Sequence, residues 1–272
     1  MREKDSLVIT AGVVIVLGII AYILMVNITT GSLSSPGEGF PEHDTGSVPD
    51  GLLYAEDFDH GLSGWTLIGN PQPVIREDLG NPPPCFDNRG DDLWDNFAIS
   101  TETFDDSGGL ILVCDMYVND SHLDGCWVDG LFRLARNESG GGAVMQVSYR
   151  VIGEACWGNP PEERGYAYRD FGIMNESGKF RFNTTRANED LGKWHRYTVV
   201  IRPDRIVEFY VDGERACQTE EKIAPSDSGL YLVIGNRSHR DFGPALIDSI
   251  RVYAYSEQTV EFLTGHQKGP DP

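Results

Sequence analysis

The chain has 272 residues, 40% of them hydrophobic, and carries 42 Asp and Glu against 22 Lys and Arg, a net charge of −20. An acidic balance of that size excludes the electrostatic footprint of a nucleic-acid binder and docking onto an anionic lipid surface. It fits a solvated acidic exterior and leaves cation binding or an acid-rich cell surface open.

In chain order, the first element is Leu7 to Val26, which holds no charged residue. As a helix rising about 1.5 Å per residue it spans about 30 Å, the thickness of a bilayer's hydrocarbon core. Arg2 and Lys4 precede it, and no Lys or Arg follows until Arg76. That bias puts the N-terminus in the cytoplasm and the rest of the chain outside. We therefore read residues 1–6 as a cytoplasmic stub and 7–26 as a transmembrane signal anchor of a single-pass cell-membrane protein whose C-terminal domain is extracellular. A cleaved secretory signal and a leader processed ahead of the apolar helix are the other readings. The length of the run and the lack of small residues around Met25-Val26-Asn27-Ile28 stand against the first.

Residues 27–50 are rich in Gly, Ser, Thr and Pro, with Phe40 as the aromatic residue, and read as a flexible stalk. From 51 to 255 the texture changes to short apolar or alternating runs separated by Gly, Asn, Asp and Pro, one domain's worth of chain with no second linker. Strands are expected at Leu52 to Phe58, Trp65 to Ile68, Phe97 to Phe104, Leu110 to Val118, Trp127 to Arg136, Val144 to Ile152, Tyr166 to Met174, Lys179 to Asn183, Trp194 to Arg202, Ile206 to Val211, Leu230 to Gly235 and Ala245 to Tyr255. Such a succession without helices implies an all-β sandwich of two antiparallel sheets. The tail, 256–272, is polar and Pro/Gly-rich at its end and is expected to fray.

Two hairpins can be placed. Asp212-Gly213 is a two-residue turn pair between Ile206 to Val211 and the return Glu214-Arg215-Ala216. Asn137 to Gly142 turns between Trp127 to Arg136 and Val144 to Ile152, in a register that sets Cys126 opposite Cys156 and Trp127 near Trp157. A disulfide between Cys126 and Cys156 is expected on that register. Cys114, in an apolar run, reads as a buried small hydrophobe. The pairing of Cys85 and Cys217 stays open, and no CxxC occurs. Six of the twelve asparagines sit in Asn-x-Ser/Thr sequons. Asn119, Asn137, Asn175, Asn183 and Asn236 are the expected N-glycan acceptors, and Asn27 lies too close to the membrane.

Three segments resemble the concanavalin A-like lectin/glucanase superfamily, which includes laminin G-like modules. They are the opening Glu56-Asp57-Phe58-Asp59-His60-Gly61-Leu62-Ser63-Gly64-Trp65, the stretch Gly192-Lys193-Trp194-His195-Arg196-Tyr197-Thr198-Val199 with Val207 to Gly213, and the closing Leu246-Ile247-Asp248-Ser249-Ile250-Arg251-Val252-Tyr253. The resemblance implies a jelly-roll sandwich. Its hydrolase members carry Glu-x-Asp-x-x-Glu on one strand, and this chain has no such triplet: Glu208 to Glu214 has the wrong spacing and Glu102 is isolated. The resemblance also implies a structural Ca²⁺ where first and last strands meet, held by an aspartate of the closing motif together with main-chain oxygens, with Asp248 matching that aspartate and Asp57 or Glu56 beside it. Capping of a strand end is the other reading of Asp248.

A pyranose ring needs exposed aromatic faces beside planar polar groups. Trp94, Trp127, Trp157, Tyr166, Tyr168, Asp91 and Asp95 are the candidates. Burial of Trp127 and Trp157 against the expected disulfide is the competing reading. The function expected is a membrane-anchored extracellular domain that binds carbohydrate, or a glycosylated surface protein. A glycoside hydrolase with dispersed carboxylates and a structural envelope protein are the alternatives.

Overall fold

The computed structural model describes residues 49–70, 72–88, 96–118, 126–153, 160–236 and 245–265, without the side chains of 126–131 and 236. The expected anchor at Leu7 to Val26 and most of the stalk lie outside these residues. Among the described residues no helix is long and apolar enough to cross a membrane.

Fifteen strands alternate along the described chain: β1 (Leu52–Glu56), β2 (Trp65–Ile68), β3 (Val74–Arg76), β4 (Cys85–Asp87), β5 (Asn96–Phe104), β6 (Leu110–Val118), β7 (Cys126–Ala135), β8 (Ala143–Ile152), β9 (Tyr166–Met174), β10 (Phe180–Arg186), β11 (Trp194–Ile201), β12 (Val207–Val211), β13 (Glu214–Gln218), β14 (Leu230–Asn236) and β15 (Ala245–Ala254). Sheet I runs β13-β12-β11-β6-β15-β4-β3, with β1 also on β15; sheet II runs β10-β9-β8-β7-β14-β5-β2. The pairings are antiparallel. The expected all-β, two-sheet sandwich is the fold observed.

The core lies between the sheets. Leu112, Cys114 and Met116 of β6 and Tyr197, Val199 and Ile201 of β11 meet Phe132, Leu134, Val147, Val151, Phe171 and Ile173 from sheet II. Alternation alone does not describe β6, because it is buried on both faces along its whole length. Its outer face is covered at one end by Val260 and Leu263, which pack on Ile111, Val113, Val200, Tyr210 and Tyr253. At the other end Leu79, Cys85, Trp194 and Leu246 pack on Tyr117. Between these clusters Asp115, fully buried, receives both prongs of Arg196, Nε to Oδ1 at 2.7 Å and Nη2 to Oδ2 at 2.8 Å. A bidentate pair of this kind compensates a carboxylate taken out of water.

Three sequence expectations are corrected. The tail does not fray from 256: Glu257–Thr264 is a helix, α1, whose N-terminus is capped by Ser256 Oγ accepting from Thr259 N–H at 3.0 Å and whose C-terminus is closed by Gly265 at φ 67°. Its apolar side is held by the outer face of sheet I, which stabilises an eight-residue helix that is marginal alone. The β7–β8 hairpin closes further in than expected, with Ala135 opposite Ala143 and Cys126 opposite Ile152. The offset is set at the turn, where Arg136 N–H donates to Gly142 O; the bulges between Leu134 and Ala135 and between Gly130 and Phe132 shift the pairing by one residue and back. Strands β3 and β4 were not expected; they are short additions to the edge of sheet I beside β15. The Asp212-Gly213 turn is as expected, with φ 52° and 82°.

One polar joint crosses the core. Tyr149 of β8 donates its hydroxyl to Asp190 Oδ2 at 2.7 Å and meets the Tyr197 hydroxyl of β11 at 2.5 Å, while Arg169 Nη1 of β9 donates to the same Asp190 oxygen. Asp190 sits in the 3₁₀ turn Asn188–Asp190 that carries the chain from sheet II to sheet I. Burial pushes the Tyr149 hydroxyl well above its usual range, so it stays a donor. Replacing Tyr149 by Phe leaves Asp190 and Tyr197 short of a buried partner; the expected loss is about 1–3 kcal/mol in urea unfolding.

Candidate ligand-binding face

The hairpin registers of β8, β9 and β10 build a grid on the outer face of sheet II. Gly172 is flanked by Gln146 and Phe182, Asp170 by Ser148 and Thr184, and Tyr168 by Arg150 and Arg186; Tyr166 pairs with Ile152. Neighbouring strands lie about 4.8 Å apart and alternate residues share a face, so these side chains form one contiguous surface.

Hydrogen bonds and stacking fix it. Asp170 accepts from Thr184 Oγ1 at 2.6 Å through Oδ1 and from Arg150 Nε at 3.2 Å through Oδ2. Gln146 Nε2 donates to Ser148 Oγ at 3.1 Å. The guanidinium of Arg150 lies 5.1 Å over the Tyr168 ring and that of Arg186 lies 3.9 Å over Tyr166. Both are cation–π contacts that hold long side chains flat on the sheet. Arg186 is tied further to Glu162 O at 3.3 Å.

At the other end of the grid the Phe180 and Phe182 rings pack at a 45° tilt with centroids 4.9 Å apart. They lie on the space left by Gly172: a Cβ there would fall 2.4 Å from Phe180 and 2.7 Å from Phe182. Phe182 is 54% exposed, so its ring is open to solvent beside the Thr184 hydroxyl and the Arg150 guanidinium, both held by the buried Asp170.

Residues 164–259 match the family model of the Concanavalin A-like lectin/glucanases superfamily. That stretch runs from the start of β9 into α1 and includes Tyr166, Tyr168, Asp170, Phe182 and Arg186. No curated protein sequence is significantly similar to the chain. Among solved structures, the botulinum neurotoxin serotype D binding domain is similar with a TM-score of 0.54 at 10% identity, over 82% of this chain and 53% of that one. The serotype G binding domain gives 0.52 at 10% identity, over 78% and 50%. The receptor binding domain of a C/D mosaic serotype gives 0.52 at 9%, over 81% and 52%. The chain thus spans about half the length of these domains, and at such identity the likeness is one of fold.

Of the residues chosen from sequence, Tyr166 and Tyr168 come together on the outer face of sheet II, 6.5 Å apart edge to face. Trp127 pairs in backbone register with Val151, and its side chain lies outside the described set. Trp94, Trp157, Asp91, Asp95, Cys156 and Asn119 lie outside the described residues, and with Cys156 the expected disulfide. Cys85, Cys114 and Cys217 are free thiols, with Cys114 buried in the core as expected. Arg150, Asp170, Phe182 and Arg186 were missed. Their signal was period-two alternation along three adjacent strands, legible only once the two hairpins are set in register.

The sequon asparagines differ in their surroundings. Asn137 is exposed in its turn, where its Oδ1 accepts from Gly141 N–H and Ser139 Oγ. Asn175 is buried, its Nδ2 spent on Glu221 and its Oδ1 on Ser177 and Lys179. Asn183 is exposed on β10. Asn236 ends β14 opposite Asn96, with its side chain outside the described set.

The calcium candidates do meet at the junction of first and last strands, where Glu56 pairs with Ile250 on β15. Their oxygens are already engaged by donors. Glu56 accepts from Phe58 N–H at 2.8 Å, Trp65 Nε1 at 2.9 Å and Tyr54 OH at 3.2 Å. Asp248 accepts from Asn81 N–H at 2.7 Å through Oδ2 and from Ser249 N–H at 2.6 Å through Oδ1. Asp57 is exposed. N–H and O–H donors suit a carboxylate, whereas a Ca²⁺ needs several convergent oxygens. Among the described residues no three acidic, His or Cys side chains cluster to hold a metal.

Asp248 is 1% exposed. Burial lifts its carboxyl from 3.8 to about 6; the two N–H donors oppose the rise and the neighbouring Asp115 adds to it. The raised value favours the neutral form in the folded chain. Its stabilising contribution is therefore complete below about pH 4 and is lost as pH rises through about 6, on the order of 2–3 kcal/mol. A ¹³C titration of the folded protein is expected to show the Asp248 carboxyl moving with a midpoint near 6.

Proposed function

We propose that this chain binds glycan, on a free polysaccharide or a glycosylated surface protein, through the outer face of sheet II, and that the sandwich stands outside the cell on the N-terminal anchor at Leu7 to Val26. The observation that carries the binding reading is the open Phe182 ring beside Asp170, Thr184 and Arg150. A sugar ring offers C–H bonds on one face and hydroxyls around its rim. An exposed aromatic ring takes the first, and the Thr184 hydroxyl and Arg150 guanidinium, both fixed by the buried Asp170, take the second. Because Asp170 and Arg150 hold each other, little side-chain freedom remains to be lost on binding. The surface location of the site, the sequons and the flanking charges of the apolar run support an extracellular placement.

The full chain in detergent or nanodiscs is expected to bind saturably to at least one member of an oligosaccharide panel. Phe182→Ala is expected to weaken that binding about tenfold, roughly 1.4 kcal/mol, with little change in unfolding midpoint because the ring is half exposed. Phe262→Ala, which removes the exposed ring of α1, is expected to leave binding unchanged. Equal affinity of the Phe182 variant, or no sugar bound at all, would remove this reading.

A further inference from the structure

Sheets I and II do not end flush. Edge strand β10 of sheet II faces edge strand β13 of sheet I across a cleft of about 340 Å³, at the lower end of the range of small-ligand pockets. Its floor is apolar, built from Phe171, Ile173 and Phe209 together with the partly exposed Cys217. Phe171 and Phe209 stack across the two sheets at 4.7 Å. The rim is polar: Arg181 pairs with Glu221 at 3.6 Å, and Gln218 and Asn183 line the mouth.

Asn183 decides the occupant. It begins the sequon Asn183-Thr184-Thr185 and is exposed, unlike Asn175, whose amide is spent on Glu221. Along an extended strand, Asn183 shares its face with Arg181 and Thr185 and opposes Phe182 and Thr184. A sugar attached to the Asn183 amide therefore starts at the mouth of a cleft with an apolar floor and a hydrogen-bonding rim.

We propose that Asn183 carries an N-glycan whose first sugar sits in this cleft and closes the open edge of the sandwich. In the attachment, Asn183 Nδ2 forms a bond to the anomeric carbon of an oligosaccharide carried on a lipid pyrophosphate. The sugar–phosphate bond breaks, the lipid pyrophosphate leaves, and the amide gives up one proton with no change in oxidation state. The seated ring covers Cys217 and shields the outer edges of β10 and β13, which pair with no further strand among the described residues, from other chains. The lining of the cleft also includes Phe182, the ring of the sugar-binding face proposed above, so the two sites adjoin at β10, but the attachment at Asn183 does not depend on that reading.

The test uses the full chain made in a host that glycosylates Asn-x-Ser/Thr sequons. Peptide mass analysis is expected to find glycan on the Asn183 peptide. Alkylation of Cys217, followed on its own peptide, is expected to be several-fold slower in the wild type than in Thr185→Ala, which keeps Asn183 but removes the sequon. Thr185→Ser, which keeps the sequon, is expected to retain the protection, as is the wild type trimmed enzymatically to its first sugar. The unfolding midpoint of Thr185→Ala is expected to fall by about 2–4 °C, the shift that corresponds to about 1 kcal/mol in a domain of this size. An unmodified Asn183, or equal Cys217 reactivity in wild type and Thr185→Ala, overturns the proposal.

Discussion

The polar joint between the sheets is the constraint on which the rest of the structure depends. Tyr149, Tyr197, Arg169 and Asp190 meet where two apolar faces are packed together, so their hydrogen bonds have directions that hydrophobic contact lacks. They fix the position of β8 and β9 against β11 and the point at which the 3₁₀ turn crosses between layers. Each of these strands alternates faces, and the joint therefore also sets the binding face. Tyr149 lies between Ser148 and Arg150, and Arg169 between Tyr168 and Asp170. A slip of one residue in either strand would exchange the joint and the grid.

The chain's charge distribution follows from the same layering. The net charge of −20 describes a solvated exterior, yet the grid presents Arg150 and Arg186 flat against tyrosine rings. On the far side of the sandwich, under α1 and the loop before β4, carboxylates are covered instead. Asp115 tolerates this through Arg196, and Asp248 through two main-chain N–H groups and a carboxyl shifted toward neutrality. Both sheets pair their buried carboxylates, and sheet II in addition stacks its arginines on tyrosine rings.

Much of this architecture was legible in the residues. The limits of β2, β6 and β9 and the Asp212-Gly213 turn follow from local apolar pattern and turn chemistry, and Cys114 from the run that contains it. What escaped was decided by distant partners. Strands β3 and β4 have only three residues each and exist because β15 offers an edge. Helix α1 carries a readable cap at Ser256 and stop at Gly265, but the sheet face that supports it is a tertiary fact. The β7–β8 register was set where the turn closes, at Ala135 opposite Ala143, which placed Cys126 opposite Ile152 and not Cys156. For the binding face, Tyr166 and Tyr168 could be chosen by residue type. Arg150, Asp170 and Phe182 required two registers at once.

Gly172 is the feature with the longest reach. The pose of Phe180 and Phe182 is set by a missing side chain, since even a methyl group there would collide with both rings. Gln146, Ser148 and Thr184 around it can change size by small steps and so adjust which ligand shapes fit. Any side chain at position 172 requires both rings to move at once. A lineage diversifying this surface would therefore explore its rim gradually while its aromatic platform is either kept whole or lost in a single substitution.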